Sequence, residues 1–283
     1  RSSAASDVYK RQDLTVDGSI ATGAAVSVML IRAGVSPIAT LPIAFLAGAL
    51  AGMVTGLLNT ALGIPGILAS ILTQISLYSI NLNIMGKANQ PVSVDNYPLV
   101  VSLRYVTDGS VSRLLFFLGM IVFLLALIAV MYWYFGTEQG HAIRATGCNS
   151  NMARAQGINT NFIKVLALMI SNGLVGLCGA LYGQFQGASD VNMGRGAIVI
   201  GLAAVIIGEV LFGKFASKRK LAFAFTLASV ILGAVIYYMV YQFVLWLKMP
   251  SEDMKLFSAI VVAIFLAIPY LKEKRTLRKA ASK

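Results

Sequence analysis

The chain has a single histidine, two cysteines and eleven acidic residues among its 283 positions. Each scarcity removes a class of function. Metal-dependent and acid–base enzymes need His, Cys, Asp or Glu in clusters, whereas His141 stands alone and the acids are scattered. Cys148 falls in a polar stretch and Cys178 in an apolar one, with neither metal-ligand spacing nor a setting for a disulfide. Charged residues make up only 12% of the chain, too few to clothe a soluble domain of this length.

What is abundant is apolar surface: 58% of residues are hydrophobic and the mean hydropathy is +0.78. A ~30 Å hydrocarbon core takes roughly 20 helical residues to cross, and lipid offers the backbone no other hydrogen-bond partners. The composition predicts an all-α, polytopic transmembrane helix bundle, with spans at 19–31, 37–58, 66–86, 112–135, 162–187, 195–213, 221–247 and 255–271. The first is short enough for a half-helix.

The net charge of +12 points to orientation rather than to nucleic acid, because the basic residues sit in short loops and at the tail. The positive-inside rule places three pieces in the cytoplasm: the loop at 136–161 with the adjoining Lys164, the turn with Lys214, Lys218, Arg219 and Lys220, and a basic tail at 272–283 that can rest on anionic membrane lipid. Arg32 alone sits awkwardly, on a short outer turn.

Residues 1–12 are polar and resemble read-through from a sequencing adapter, which leaves 13–271 as the transmembrane domain. Within it, DLTVDGSIATGAAV from Asp13 is echoed by DVNMGRGAIVIGLAAV from Asp190, and GIPGILASILTQI more weakly by KMPSEDMKLFSAIVVAI. Five spans separate the starts of the two copies, and an odd number puts them in opposite orientations: an inverted-topology repeat. The second copy is preceded by a span and the first only by the foreign dozen, so an N-terminal span is expected to be missing.

The 136–161 loop contains HAIRATGCNSNMARAQGINTNFIK, too polar for a span yet patterned as a short helix punctuated by Gly147 and Gly157. Arg144-Ala145-Thr146-Gly147-x-Asn149, followed by Ala153 and Gly157-Ile158, is similar to the cytoplasmic coupling motif of permeases in the branched-chain amino acid and ribose importer family. The resemblance extends along the chain from Asp13 through GIPGILASILT, SLYSINLNIMGKAN and GAIVIGLAAVIIGEVLFG, and is greatest to a branch associated with tryptophan-type or unassigned substrates. It implies an ATP-binding-cassette importer whose separate ATPase subunit docks on this loop, with an extracytoplasmic solute-binding protein and a second permease copy, identical or paralogous, as partners. It also implies that this chain binds no cofactor itself and that ATP is used by the partner.

Gly208-Glu-Val-Leu-Phe-Gly213-Lys214 mimics a phosphate-binding loop. However, Phe215 stands where a Ser or Thr must hold magnesium, and the segment follows an apolar span instead of a strand. Gly48, Gly52 and Gly56 share one helix face, as do Gly179, Gly183 and Gly187, and such faces let helices approach closely within a subunit or between copies. Asp13 and Asp17 precede a helix start. They suit N-capping, and a carboxylate-bearing solute at the same helix end is the alternative.

Ser70, Gln74, Tyr78 and Asn81 form one polar stripe, and Asn172, Tyr182, Gln184 and Gln186 decorate another span. With Asp17 and Ser19 these make a candidate solute path through Gln74, Tyr78, Asn81, Asn172 and Gln184, or else bonds between helices. Glu209 lies inside a span near Lys214, which favours a structural ion pair or an ATPase contact over proton coupling. Two rival classes remain: an ion- or proton-coupled transporter or channel, which needs a site that Glu209 alone scarcely supplies, and an intramembrane enzyme, which needs the clusters this chain lacks.

Overall fold

The computed structural model describes residues 13–93, 96–97, 99–101, 113–216 and 222–246. Its helices are α1 (Val16–Arg32), α2 (Pro37–Thr60), α3 (Gly66–Met85), α4 (Arg113–Phe135), α5 (Glu138–Cys148), α6 (Ser150–Ala155), α7 (Thr160–Gln186), α8 (Ala197–Ala216) and α9 (Ala222–Trp246). Two short strands, β1 (Asn89–Pro91) and β2 (Ala188–Asp190), complete the described elements. The expected span at 255–271, the tail at 272–283 and residues 1–12 lie outside the described residues.

Among the described residues, five helices, α2, α3, α4, α7 and α9, are long and apolar enough to cross a membrane, and α8 holds a shorter apolar stretch, Ala197–Glu209. Local chemistry sets several of their ends. Pro37 opens α2, where its missing N–H costs nothing, and Gly86 and Gly187 close α3 and α7 in the left-handed conformation. Gly187 therefore terminates the face carrying Gly179 and Gly183 instead of extending it.

The chain divides into two compact units, one built from residues 1–124 and 133–195, the other from 125–132 and 196–283. In the first, α1 packs against α2, α3 and α7, and α2 packs along α7. At 17 residues α1 spans about 25 Å, and Ala21, Ala24, Ala25, Val28 and Ile31 are almost wholly enclosed. Protein, not lipid, surrounds this helix. Large apolar side chains instead point outward from α2, α3 and α4, among them Leu46, Leu50, Leu72, Ile75, Phe117 and Trp133, the reverse of a water-soluble domain and the arrangement a lipid solvent requires.

Small residues set the spacing inside. A side chain on Gly48 would run into the backbone at Asn172, one on Gly52 into Leu168, and one on Gly56 into Val165, so the glycine face of α2 is spent on α7 of the same subunit. Gly23 of α1 meets Gly176 of α7, and Gly179 meets Ile20. In the second unit Gly208 abuts Ser229 and Gly233 abuts Ala204, so the glycine that opens the phosphate-loop mimic is a helix-packing residue.

The strands were not anticipated. β1 and β2 pair antiparallel, with Asn89, Gln90 and Pro91 opposite Asp190, Ser189 and Ala188. Bonds from Val92 N to Gly187 O (2.8 Å) and from Val191 N to Ala88 O (3.0 Å) extend the ribbon. It also resolves Arg32, whose guanidinium donates to the Gln90 carboxamide oxygen. The paired echo has a local counterpart: Asp13 accepts from Thr15 N (2.9 Å) and Asp190 from Asn192 N (2.7 Å), the same turn two residues on in both copies.

Glycine packing makes a direct prediction. Gly176→Leu should lower the thermal unfolding midpoint of the purified protein, losing about 1–3 kcal/mol or more, because even the first added carbon would lie 2.6 Å from the Ala44 carbonyl oxygen. Gly119→Ala, in open space on α4, should leave the midpoint unchanged, and equal midpoints for the two variants would contradict the packing described.

Candidate functional site

Helix α1 begins level with the middle of the bundle. Thr15 occupies its N-cap position without a side-chain cap, which corrects the expectation that Asp13 and Asp17 cap this helix. Asp13 reaches sideways instead: its second oxygen accepts from Asn172 Nδ2 at 2.7 Å, and Asn172 Oδ1 accepts from Ser19 Oγ at 2.6 Å. Asp17 lies in the first turn, where a carboxylate complements the helix dipole. Thr15 bonds Thr55 and Thr55 bonds Thr73, each at 2.9 Å, so one buried network joins α1, α2, α3 and α7. In a medium without water, such bonds satisfy groups that would otherwise be stranded.

Gln184 ties the opposite end together. Its Nε2 donates to Ser27 Oγ (3.1 Å) and to Thr40 Oγ1 and Pro37 O (both 3.4 Å), and its Oε1 accepts from Val100 N (3.1 Å). Of the candidate path residues, Ser19, Asn172 and Gln184 are thus engaged with other helices inside the bundle.

The others come together. Asp17, Gln74, Tyr78 and Asn81 line a cavity of about 360 Å³ with Gly18, Asn192 and Arg195. Gly194 packs on the Asp17 backbone, so the segment between β2 and α8 turns back to the level where α1 starts. Arg195 and Asn192 escaped notice because they read as an ordinary outer loop, although the echo of Asp13 at Asp190 marks the segment. Asn81 is fully enclosed, yet neither atom of its carboxamide has a hydrogen-bond partner.

A second cavity, of about 400 Å³, opens beneath α5 and α6. Ile143, Thr146, Gly147 and Ser150 form one wall, and Ile163, Lys164 and Leu168 of α7 another, with Asp13, Thr55 and Asn59 beside them. The expected single short helix is two, broken at Asn149, whose extended backbone ends α5 while its Oδ1 caps α6 by accepting from Asn151 N and Met152 N (both 3.1 Å). Gly147 is the penultimate residue of α5, just before the break, and Gly157, at φ +85°, makes the turn after α6. Ala153 is buried, whereas Met152 is 60% exposed. Arg154 donates to Thr160 (3.2 Å), fastening α6 to the start of α7.

Among the described residues no three His, Cys, Asp or Glu side chains are grouped to hold a metal ion. Cys148 and Cys178 are free thiols. Glu209 projects from α8, and the side chain of its expected partner Lys214 lies outside the described residues.

A bundle of membrane-crossing helices with cavities that carry polar side chains between them is a build found in solute-transport proteins. Residues 10–269 match the family described as branched-chain amino acid transport system, permease component, and the chain belongs to that family. It is 39% identical over 255 residues to the tyrosine transport system permease protein of Clostridioides difficile (strain R20291), covering 90% of this chain and 81% of that protein. It is 26% identical over 200 residues to the inner membrane ABC transporter permease protein YjfF of Escherichia coli (strain K12), covering 70% and 59%. It is 28% identical over 238 residues to the autoinducer 2 import system permease protein LsrC of Yersinia pseudotuberculosis (serotype O:3, strain YPIII), covering 83% and 62%. No solved structure matches.

The protein is accordingly a multi-pass membrane permease of an ATP-binding-cassette importer for small solutes. Its family comprises transport permease subunits rather than enzymes.

Replacing Asn172 with Leu removes both bonds that hold Asp13 and Ser19. The unfolding midpoint should fall by the equivalent of about 1–2 kcal/mol, measured on the detergent-solubilised protein. A midpoint at or above wild type would mean that the network carries no net stability.

Proposed function

We propose that this permease carries an amino acid or closely related solute, and that a separate ATPase subunit grips α5 and α6 through Arg144, Ala145, Thr146, Gly147, Asn149, Ala153, Gly157 and Ile158. The observation carrying this reading is the bent pair α5–α6. It is polar, it exposes Met152, and it is fastened to α7 by the buried Ala153 and the Arg154–Thr160 bond. A bent, capped pair of short helices transmits force better than a slack loop, because its ends cannot move independently.

ATP binding and hydrolysis belong to the partner, which closes on α5–α6 and pushes on the start of α7. Since residues of both helices wall the 400 Å³ cavity together with α7, displacement of the pair changes that cavity directly. Rocking of α7 then reaches α1 and α2, which are packed on it at backbone contact. The positive charges of Arg144, Arg154 and Lys164 support a cytoplasmic side for this pair, and the basic sequence of 272–283 supports the same side for the tail. An extracytoplasmic solute-binding protein delivers the solute, and a second permease copy completes the channel. The amino acid assignment is supported by the name of the Clostridioides difficile relative.

Gly147→Arg tests the docking. The position is exposed and an added side chain would begin in open space, so the fold accommodates the arginine while its bulk obstructs a docked partner. The wild-type protein pulled from its native membrane should bring an ATPase with it, and Gly147→Arg and Met152→Glu should lose it while keeping the wild-type unfolding midpoint. Absence of any ATPase from well-folded wild-type protein would defeat the proposal.

A further inference from the structure

We infer that the cavity between Asp17 and Arg195 is a transit site for a zwitterion, in which Asp17 takes the ammonium group, Arg195 the carboxylate, and Asn81 hydrogen-bonds the solute between them. The inference rests on the permease reading and deepens it, because the neighbouring side chains specify the charge pattern of the solute.

The first observation is the Asn81 carboxamide. A buried amide that makes no hydrogen bond is costly in protein and more so in a bilayer. Asn81 is fully enclosed, lines the cavity, and leaves both its donor and its acceptor unused. A leucine there would pack without that cost. An α-amino acid supplies both missing partners, since its carboxylate accepts from the amide nitrogen and its ammonium donates to the amide oxygen.

The second observation is the pair of opposite charges on one cavity. A lone cation would meet Arg195 and a lone anion would meet Asp17, so each singly charged solute meets a like charge that a zwitterion can turn away from. Arg195 offers a planar fork suited to a carboxylate. Asp17 sits in the first turn of α1, so its carboxylate is held by the helix dipole as well as by its side-chain geometry. The cavity, about 360 Å³, falls within the ~300–1,000 Å³ range of small-molecule sites. Tyr78 and Ile75 add an aromatic and an apolar wall for a side chain.

The third observation is how the site is assembled. Gly18 lies against α3, where an added carbon would come 3.3 Å from Gln74 Cα, and Gly194 lies against the Asp17 backbone. The site is therefore made where three chain segments interrupt or meet near the middle of the bundle: the start of α1, the centre of α3 and the return segment before α8. Beneath it, the bonds from Asp13 and Ser19 to Asn172 join α1 to α7, so movement of α7 reaches the site through α1.

The test is equilibrium binding to the permease purified with its ATPase and reconstituted in nanodiscs without the solute-binding protein, so that selectivity measured is the permease's own. Radiolabelled L-tyrosine, each of the other protein amino acids, tyramine (which lacks the carboxylate) and 3-(4-hydroxyphenyl)propionate (which lacks the ammonium) are the probes. The wild type should bind at least one amino acid and reject both truncated compounds. Arg195→Gln should weaken amino acid binding about tenfold to a hundredfold and lose discrimination against tyramine, and Asp17→Asn should do the same for the propionate. Asn81→Leu should weaken binding while raising the unfolding midpoint of the ligand-free complex, a combination that a purely structural asparagine would not produce.

Wild-type complex that assembles with its ATPase but binds no amino acid, or binds tyramine equally well, overturns this inference and leaves the permease reading standing. So do variants that bind like wild type. Failure to assemble with any ATPase overturns the permease reading itself.

Discussion

Everything in the first unit depends on helices α2 and α7 touching at their backbones. Three glycines of α2, spaced one helical turn apart, leave room for nothing larger between it and the residues from Val165 to Asn172. Lipid tails are as apolar as leucine, so burial alone gives two membrane helices little reason to meet. Close van der Waals contact must supply the attraction, and it acts only at short range. That contact aligns Thr55 and Asn172, and through them fixes Asp13, Ser19 and Thr73. The buried polar network is thus a consequence of the glycine face, and the enclosed position of α1 is a consequence of both.

The same contact explains why α1 tolerates its length. A helix of 17 residues is poorly matched to a bilayer, but the match matters less where protein covers most of it. The region just before its start belongs to the cavity lined by Asp13, Thr55, Asn59 and Gly66, and its first turn flanks the cavity lined by Gln74, Tyr78 and Asn81.

Much of this was legible in the residues. Among the described residues, the helix bounds emerged from hydropathy to within a few positions, since segment length and lack of charge are what lipid selects on. The glycine periodicity of α2 announced a close contact, although not its partner. Of the stripe read on helix-face geometry, Gln74, Tyr78 and Asn81 line one cavity, whereas Ser70 is turned back onto the Ile67 carbonyl. Helix-face geometry could not separate the first three from Asn172 and Gln184, because a side chain bonded to another helix and one lining a cavity occupy the same kind of interior position. Arg195 was hidden for a different reason: charge near a span end reads as an interfacial anchor, and only the backbone contact at Gly194 shows the segment turning inward. The β1–β2 ribbon left no signal, as two strands of three residues are too short for any alternation to register.

That ribbon has a mechanical consequence. It joins the residues following α3 to those following α7 by backbone hydrogen bonds, which stretch very little. One rim of the bundle is therefore clasped, while the far ends of the same helices, where α5 and α6 attach, carry no comparable strap among the described residues. A force applied at α5–α6 acts on a lever with a fixed fulcrum at the ribbon. Under the proposed coupling, the largest excursions are expected at the end that is pushed, the motion of a clothes peg and not of a piston.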